Sequence, residues 1–331
     1  MAEATSCTRL KRAPRNQTIS LNDKQISVLK ERLITRRPTA RLTMPPNGTI
    51  LGSCLAWAEV LPPAFVDLMI LDPPYNLDKM FNGRKFSKTS VEGYSFWFEN
   101  VVKALKPLLK ANASVYVCCD WTTSQSVYSI LTKHFSVQNR ITWEREKGRG
   151  AKRNWKNNSE DIWFCTTSDD YTFNVNAVKL RRKVIAPYTD DNGKPKDWML
   201  TQEGNFRDTH PSNLWTDITI PFWSMPENTD HPTQKSEKLI AKLMLASSNP
   251  GDFVFDPFLG SGTTSVVARK LGRRYLGIEI DEQYCLWAEY RIDLAERDNS
   301  IQGYRDGVFW ERNSALAVRK EPVDEQPSLK F

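Results

Sequence analysis

The 331-residue chain predicts an α/β fold with a doubly wound, mostly parallel sheet, and three observations carry that expectation. Apolar runs of strand length alternate with runs of helical apolar spacing along most of the chain, the pattern of βα units packed on both faces of one sheet. Val66 to Leu71 is the near-continuous apolar run that a strand buried on both faces requires, and an acid, Asp72, follows it. Phe253 to Asp256 is a second such run; a glycine turn and the helix-like stretch Ser265 to Leu271 come next, and then a strand, Arg274 to Asp281, that also ends in acid. Open α/β sheets bind ligands at the carboxyl ends of their strands, so these acids fall where a site is expected.

In chain order, residues 1–18 are polar and basic and are expected to be disordered. From Ile19 to Ile34, apolar residues recur at helical spacing, which predicts a short helix docked on the body or on a partner subunit. Pro38, Pro45 and Pro46 mark a linker. Thr49 to Cys54 reads as the first strand and Leu55 to Leu61 as a short helix leading into the strand that ends at Asp72. Asp78 to Ser95 is a polar loop carrying Lys79, Arg84, Lys85 and Lys88, long enough to act as a lid and charged to suit a phosphate backbone, with Arg84 and Lys85 the candidates for DNA contact. A helix is expected over 96–109, a buried strand over 113–119, a helix over 122–135, and strands over 138–143 and 161–166. Between the last two lies Glu144 to Lys156, with six basic residues against two acids, glycines and Trp155. Basic residues interleaved with an aromatic suit nucleic acid, and Lys147, Arg149, Lys152 and Arg153 are the candidates there. Residues 168–229 break the βα rhythm and contain Arg181 and Arg182, further candidates for DNA contact, among other cations. A helix is expected from Ser236 to Ala246, and the chain turns polar after Leu294.

Composition sets limits. No apolar run approaches the roughly 18 residues of a membrane span, and the N-terminus has no apolar leader, so neither anchor nor signal peptide is expected. Six cysteines without a C-x-x-C pair and only three histidines predict no metal site and reduced thiols, in a cytoplasmic setting associated with the nucleoid if the source is bacterial. The net charge is +7, and residues 1–45 hold ten Lys/Arg against three acids, so the excess lies in an N-terminal arm suited to a polyanion.

The chemistry concentrates at two stretches. Two successive prolines after Asp72 fix φ and supply carbonyls without N–H groups, so Asp72-Pro73-Pro74-Tyr75 presents a rigid row of acceptors beside an aromatic face, fit for a planar group bearing an amine. Asp256-Pro257-Phe258-Leu259-Gly260-Ser261-Gly262-Thr263-Thr264 is a turn in which glycines let a ligand approach a helix N-terminus. Glu279 lies 19 residues beyond Gly260, the usual place for a carboxylate that binds ribose hydroxyls. The turn has neither the full G-x-G-x-x-G dinucleotide pattern nor the lysine of a G-x-x-x-x-G-K-[ST] phosphate loop.

With His231-Pro232-Thr233-Gln234-Lys235 between them, these motifs closely resemble, in order and spacing, the β class of amino-methylating DNA methyltransferases over roughly residues 47–297. The resemblance implies a Rossmann-like methyltransferase fold in circularly permuted motif order and S-adenosyl-L-methionine as cofactor. It divides the chain into a basic extension (1–46), a catalytic half (47–167), a target-recognition region (168–229), a cofactor-binding half (230–311) and a polar tail (312–331). It implies catalytic roles for Asp72, Pro73, Pro74 and Tyr75. Cofactor contacts are implied for Asp256, Phe258, Gly260, Ser261, Gly262, Thr263 and Glu279, and for Thr233 and Lys235 facing the methionine carboxylate. The family's first strand commonly ends Gly-Asp, with the carboxylate on the adenine ring of the cofactor; here Gly52-Ser53 stands there, and Ser53 is the candidate in its place. Double-stranded DNA is the implied partner, with a homodimer and a companion restriction endonuclease compatible with the family.

An exocyclic amine is a poor nucleophile because its lone pair is delocalised into the ring. Acceptors at Asp72 and the Pro73 carbonyl would bind its hydrogens and aim the lone pair at the sulfonium methyl, with Tyr75 stacked on a flipped base. Adenine N6 is the expected target, since family members acting on cytosine N4 more often begin the tetrapeptide with Ser. Cytosine N4 is the alternative, and an inactive DNA-binding regulator on the same scaffold is the third reading.

Overall fold

The computed structural model describes residues 13–145, 152–185, 188–201 and 204–311. In chain order the elements are α1 (Asp23–Lys30), β1 (Gly48–Leu51), α2 (Cys54–Ala58), β2 (Val66–Leu71), β3 (Lys79–Phe81), β4 (Arg84–Phe86), α3 (Val91–Leu105), β5 (Leu109–Cys119), α4 (Ser124–His134), β6 (Ser136–Glu144) and β7 (Ser159–Thr166). Then follow β8 (Leu180–Lys183), β9 (Met199–Thr201), β10 (Gly204–Thr209), β11 (Leu214–Trp215), α5 (Glu237–Ser247), β12 (Phe253–Asp256), α6 (Thr263–Lys270), β13 (Arg274–Glu279), α7 (Glu282–Arg297), β14 (Tyr304–Arg305) and β15 (Val308–Trp310).

Eight strands form the main sheet in the order β1-β13-β12-β2-β5-β7-β6-β11. All neighbours are parallel except where β7 runs antiparallel to β5 and β6. The period-2 geometry of a strand sends Leu68 and Ile70 to one face of β2 and Met69 and Leu71 to the other, and all four are buried. On the first face they meet α5 and α6 through residues such as Leu239, Met244 and Val267; on the second they meet α2 and α3 through Trp57, Phe98 and Val101. Each such side chain stabilises the fold by about 1.5–3 kcal/mol on leaving water, so β2 is held between two cores. From β12 the chain winds outward through α6 to β13, and from β2 it winds the other way through α3 to β5. The topological switch point therefore lies between β2 and β12, whose carboxyl ends carry Asp72 and Asp256.

The departures from expectation have local causes. The helix expected over 96–109 begins five residues earlier, because Ser90 caps it by accepting from Gly93 N at 3.0 Å, and Pro107 then supports the 3-10 turn that ends it. Within Asp78 to Ser95 the chain forms the hairpin β3/β4 rather than an open loop. Asn76 closes its base, giving its amide hydrogen to Thr89 O at 2.9 Å and accepting from Thr89 N at 2.8 Å. The helix expected near the N-terminus is α1, started by a reciprocal capping box between Asn22 and Gln25; with Ile19, Leu21 and Leu33 it packs on Tyr284, Leu286 and Trp287 of α7. Residues 1–12 lie outside the described residues. The end of the stretch expected to be disordered is instead bonded to the body, Gln17 N to Trp223 O at 2.7 Å and Asn228 Nδ2 to Thr18 Oγ1 at 2.7 Å.

The segment from 168 to 229 builds most of a second sheet, ordered β14-β15-β8-β10-β9. Its β15 comes from the far end of the chain, and Phe309 and Trp310 pair with Leu180 and Arg181. No helix among the described residues is long and apolar enough to cross a membrane.

Candidate active site

At the switch point the carboxyl ends of β2, β12 and β13 converge on a cleft of about 390 Å³, within the range of small-molecule sites. Asp72, Pro73, Pro74, Tyr75, Thr233, Lys235, Asp256, Phe258, Gly260, Ser261, Thr263 and Glu279 all line it, so the structure brings together residues spread over more than 200 positions. Ile70, Cys118, Ile240 and Leu259 supply apolar wall. Gly262 lies behind the turn as the N-cap of α6, at φ +86°. Ser53 does not line the cleft; it is exposed at the start of α2 and makes no side-chain cap there.

One end of the cleft is built from carboxylates that hold the backbone. Asp256 accepts from Phe258 N at 3.0 Å and from Thr264 Oγ1 at 2.6 Å, which fixes the first turn of the loop. Burial pushes its carboxyl up to about 7, against the lowering effect of these two bonds. Glu279 accepts from Gly260 N at 2.8 Å through Oε2 and from Ile280 N and Asp281 N at 2.8 and 2.9 Å through Oε1. Burial raises its pKa as well, and those three N–H groups offset part of the rise. Gly260 sits at φ +55° with His231 Nε2 only 3.1 Å from where a Cβ would be. The His231 ring is edge-on to Tyr284, with centroids 4.4 Å apart, and burial brings its pKa down to about 3, so it is neutral. Gln234 is structural: Oε1 accepts from Thr229 N and Oγ1, and Nε2 donates to Glu227 O.

The other end carries the Asp-Pro-Pro-Tyr turn. Tyr75 OH donates to Asp72 Oδ1 at 3.0 Å, while Lys235 Nζ donates to Asp72 Oδ2 at 2.7 Å and lies 3.3 Å from Tyr75 OH. The resemblance implied that Lys235 faces a cofactor carboxylate; its ammonium is directed at Asp72. Burial works to lower the Lys235 pKa, but the charges of Asp72 and Glu160 outweigh it and hold the ammonium above its ordinary value. The Cys118 thiol is pushed well up by burial, so the nearest sulfur is a neutral wall atom. Over the opening runs the β3/β4 hairpin, which contributes Lys79 and Phe86 to the lining, and Asn82 at its tip donates to both oxygens of Asp281 at 3.1 and 2.9 Å.

The cations expected at DNA divide. Lys152 and Arg153 are exposed, close to Trp155, which is 93 % exposed. Lys147 and Arg149 lie outside the described residues, and Arg84 and Lys85 are in β4. Arg181 is committed elsewhere: it pairs with Asp208 through two bonds of 2.7 and 2.8 Å and lies over the Trp310 ring. Arg182 is 3.6 Å from Glu311. Both lie in β8 of the second sheet, and the sequence could not show their partners, which come from β10 and from beside β15. Glu160 and Arg145, 2.7 Å apart beside Lys235, were not legible either; a single acid at the start of a strand carries no periodic signal.

A switch-point cleft with a glycine turn at a helix N-terminus, a carboxylate on the next strand and an acceptor-rich Asp-Pro-Pro-Tyr turn defines an S-adenosylmethionine-dependent methyltransferase. The cleft fits that cofactor: it has the volume, an apolar wall at Phe258 and Leu259, and an acid, Glu279, already oriented by three backbone N–H groups. A family model described as DNA methylase, of the N6/N4 methyltransferases, matches residues 66–289, and the chain belongs to that family. It is 32 % identical over 253 residues to the DNA adenine methyltransferase YhdJ of Escherichia coli K12, spanning 74 % of this chain and 82 % of the relative. It is also 32 % identical over 238 residues to the type II methyltransferase M.HpaI of Haemophilus parainfluenzae, spanning 69 % of this chain and 68 % of that one. The fold is similar to that of the M1.HpyAVI–SAM complex, with TM-score 0.51, 21 % identity, and 74 % of this chain and 98 % of that chain covered. It is similar again to the PvuII cytosine-N4-specific DNA methyltransferase, with TM-score 0.55, 17 % identity, and 77 % and 93 % covered.

Proposed function

We propose that this chain methylates N6 of adenine in double-stranded DNA, acting on a base flipped into the cleft beside Asp72. The observation that carries the reading is the carboxylate at the head of the Asp-Pro-Pro-Tyr turn. Asp72 is held on one side by Tyr75 OH and on the other by Lys235, and keeps 21 % of its side chain accessible from the cleft. A carboxylate has about four lone-pair positions, so it can accept a hydrogen of the target amine while keeping both partners. The Pro73 carbonyl, with no N–H beside it at Pro74, is the second acceptor. Together they draw the amine's hydrogens and turn its lone pair out of the ring. Tyr75 offers the face on which the base lies.

S-adenosylmethionine supplies an electrophilic methyl on a sulfonium. Glu279 binds the ribose hydroxyls, and the Gly260-Ser261-Gly262 turn lets the ligand approach the backbone at α6. Thr233, at the cleft wall, is a further polar contact. Lys152, Arg153 and Trp155 meet the DNA beside the opening. The name of the E. coli relative, an adenine enzyme, favours the same base, and the type II names of two relatives suggest a companion restriction endonuclease.

The test is incubation of the protein with methyl-labelled S-adenosylmethionine and duplex DNA, followed by digestion to nucleosides and chromatography. Label in N6-methyladenine is the expected result. Label in N4-methylcytosine would replace the base assignment, and label in neither would refute the activity.

A further inference from the structure

Behind the Asp-Pro-Pro-Tyr turn the charges continue away from the cleft in a chain. Lys235 Nζ is 2.7 Å from Asp72 Oδ2 and 3.4 Å from Glu160 Oε2, and Glu160 Oε1 accepts from Arg145 Nη1 at 2.7 Å. The Glu160 side chain is only 3 % exposed and does not line the cleft. Its Oε2 is buried without a hydrogen bond, with the Lys235 ammonium 3.4 Å away. A buried carboxylate oxygen in that condition is costly unless a charge compensates it. Glu160 is the second residue of β7, fixed opposite Trp143 of β6 by the strand register, so its place beside Lys235 is set by the sheet.

Lys235 therefore stands between two carboxylates that compete for one ammonium. A lysine given wholly to Asp72 would neutralise the acceptor that the amine needs, because a hydrogen bond to a charged acceptor weakens as a cation takes up that charge. We propose that Glu160 is a positioning residue for methyl transfer: it shares the Lys235 ammonium with Asp72 and so leaves the Asp72 carboxylate able to accept from the target amine. The inference rests on the adenine reading above. Arg145, with 28 % of its side chain exposed, anchors the far side of Glu160. It also opens the basic stretch that leads to Trp155, so the chain of charges runs from the catalytic carboxylate to the segment placed beside DNA.

The experiment is a double-mutant cycle on Glu160→Gln and Lys235→Gln, read by single-turnover methyl transfer to duplex DNA, with S-adenosylmethionine and DNA affinities and thermal unfolding measured alongside. Glu160→Gln keeps the shape and removes the charge. It should slow transfer about 10-fold, the lower end of what a hydrogen bond to a charged group contributes, with both affinities within about 2-fold of the parent. In the Lys235→Gln background the same change should alter the rate less than about 2-fold, since there is no ammonium left to share. A parental rate in Glu160→Gln overturns the proposal, and so do equal losses in both backgrounds, which would mean that Glu160 acts only by supporting the fold. Should Glu160→Gln fail to fold, Glu160→Asp withdraws the carboxylate while keeping its charge, and a parental rate there is equally fatal. Absence of transfer by the parent itself, or transfer to cytosine N4 in place of adenine N6, would refute the adenine reading on which the inference stands, a result distinct from a variant that works as well as the parent.

Discussion

Gly262 is the position where the cofactor loop has least room, and replacing it with Ala gives a magnitude that can be worked from the structure. At φ +86° an L side chain is strained wherever it is placed, and an added Cβ would lie 2.4 Å from Ala288 Cβ and 2.6 Å from Ala288 Cα. The second contact is backbone of α7, so relief requires α6 and α7 to part. Gly272 provides the control: its φ is +71°, and nothing lies within 4 Å of its added Cβ. The left-handed conformation costs an alanine about 1–2 kcal/mol, of which restriction of the unfolded chain returns about 0.4–1 kcal/mol. Gly272→Ala should therefore destabilise by about 1 kcal/mol. Gly262→Ala carries the same cost and adds about 1–3 kcal/mol of overpacking, for a total of about 2–4 kcal/mol. Urea unfolding of the two variants beside the parent measures the difference directly. Because the strained turn begins α6 at the cleft, Gly262→Ala should also weaken S-adenosylmethionine binding while Gly272→Ala leaves it unchanged. Equal destabilisation in the two variants would refute the close approach of α6 to α7.

Two further outcomes follow from the buried carboxylates. Glu279→Gln removes the charge and leaves one acceptor oxygen where two now accept from backbone N–H groups, and calorimetry should show S-adenosylmethionine binding weakened about 10-fold or more, from the roughly 1.5–3 kcal/mol of a charged hydrogen bond; unchanged affinity would mean that the ribose lies elsewhere. Asp256 is held up at about 7 by burial, against about 3.8 in the unfolded chain, so between those values the native state binds the extra proton and stability falls as pH rises. Asp256→Asn abolishes that titration, and the stability of the parent relative to the variant should drop by about 2 kcal/mol between pH 5 and pH 7, at roughly 1.4 kcal/mol per pH unit before the titration levels off. Parallel stability profiles for the two proteins over that range would contradict the assignment.

What the sequence revealed and what it hid divide along physical lines. β2 was legible to the residue, because a strand buried on both faces must be apolar at every position from Val66 to Leu71 apart from the Lys110-paired Asp67. The glycine turn and Glu279 were legible because close backbone approach admits few residue types. The antiparallel β7 was not, since direction depends on which neighbours a strand finds and not on its own composition. The second sheet was hidden for a similar reason: β15 joins β8 across more than 120 residues, and Arg181 on β8 is paired with Asp208 of β10. Ser53, standing where the family has a carboxylate, lies outside the cleft because it is the exposed N-cap of α2. Lys235 lines the cleft, but its ion pairs with Asp72 and with Glu160 of a distant strand leave no mark in the local sequence.

The central claim is that Asp72 acts on the amine and not on the cofactor, and Asp72→Ala tests it most directly. Single-turnover methyl transfer to duplex DNA should fall at least about 10²-fold, the scale seen on removing one preorganised polar group from a reacting centre, while calorimetry shows S-adenosylmethionine affinity nearly unchanged. Asp72→Asn, which keeps the side-chain shape beside Lys235 and Tyr75, guards against a loss that is merely structural. Methylation of adenine by the Ala variant at near the parental rate would contradict the account.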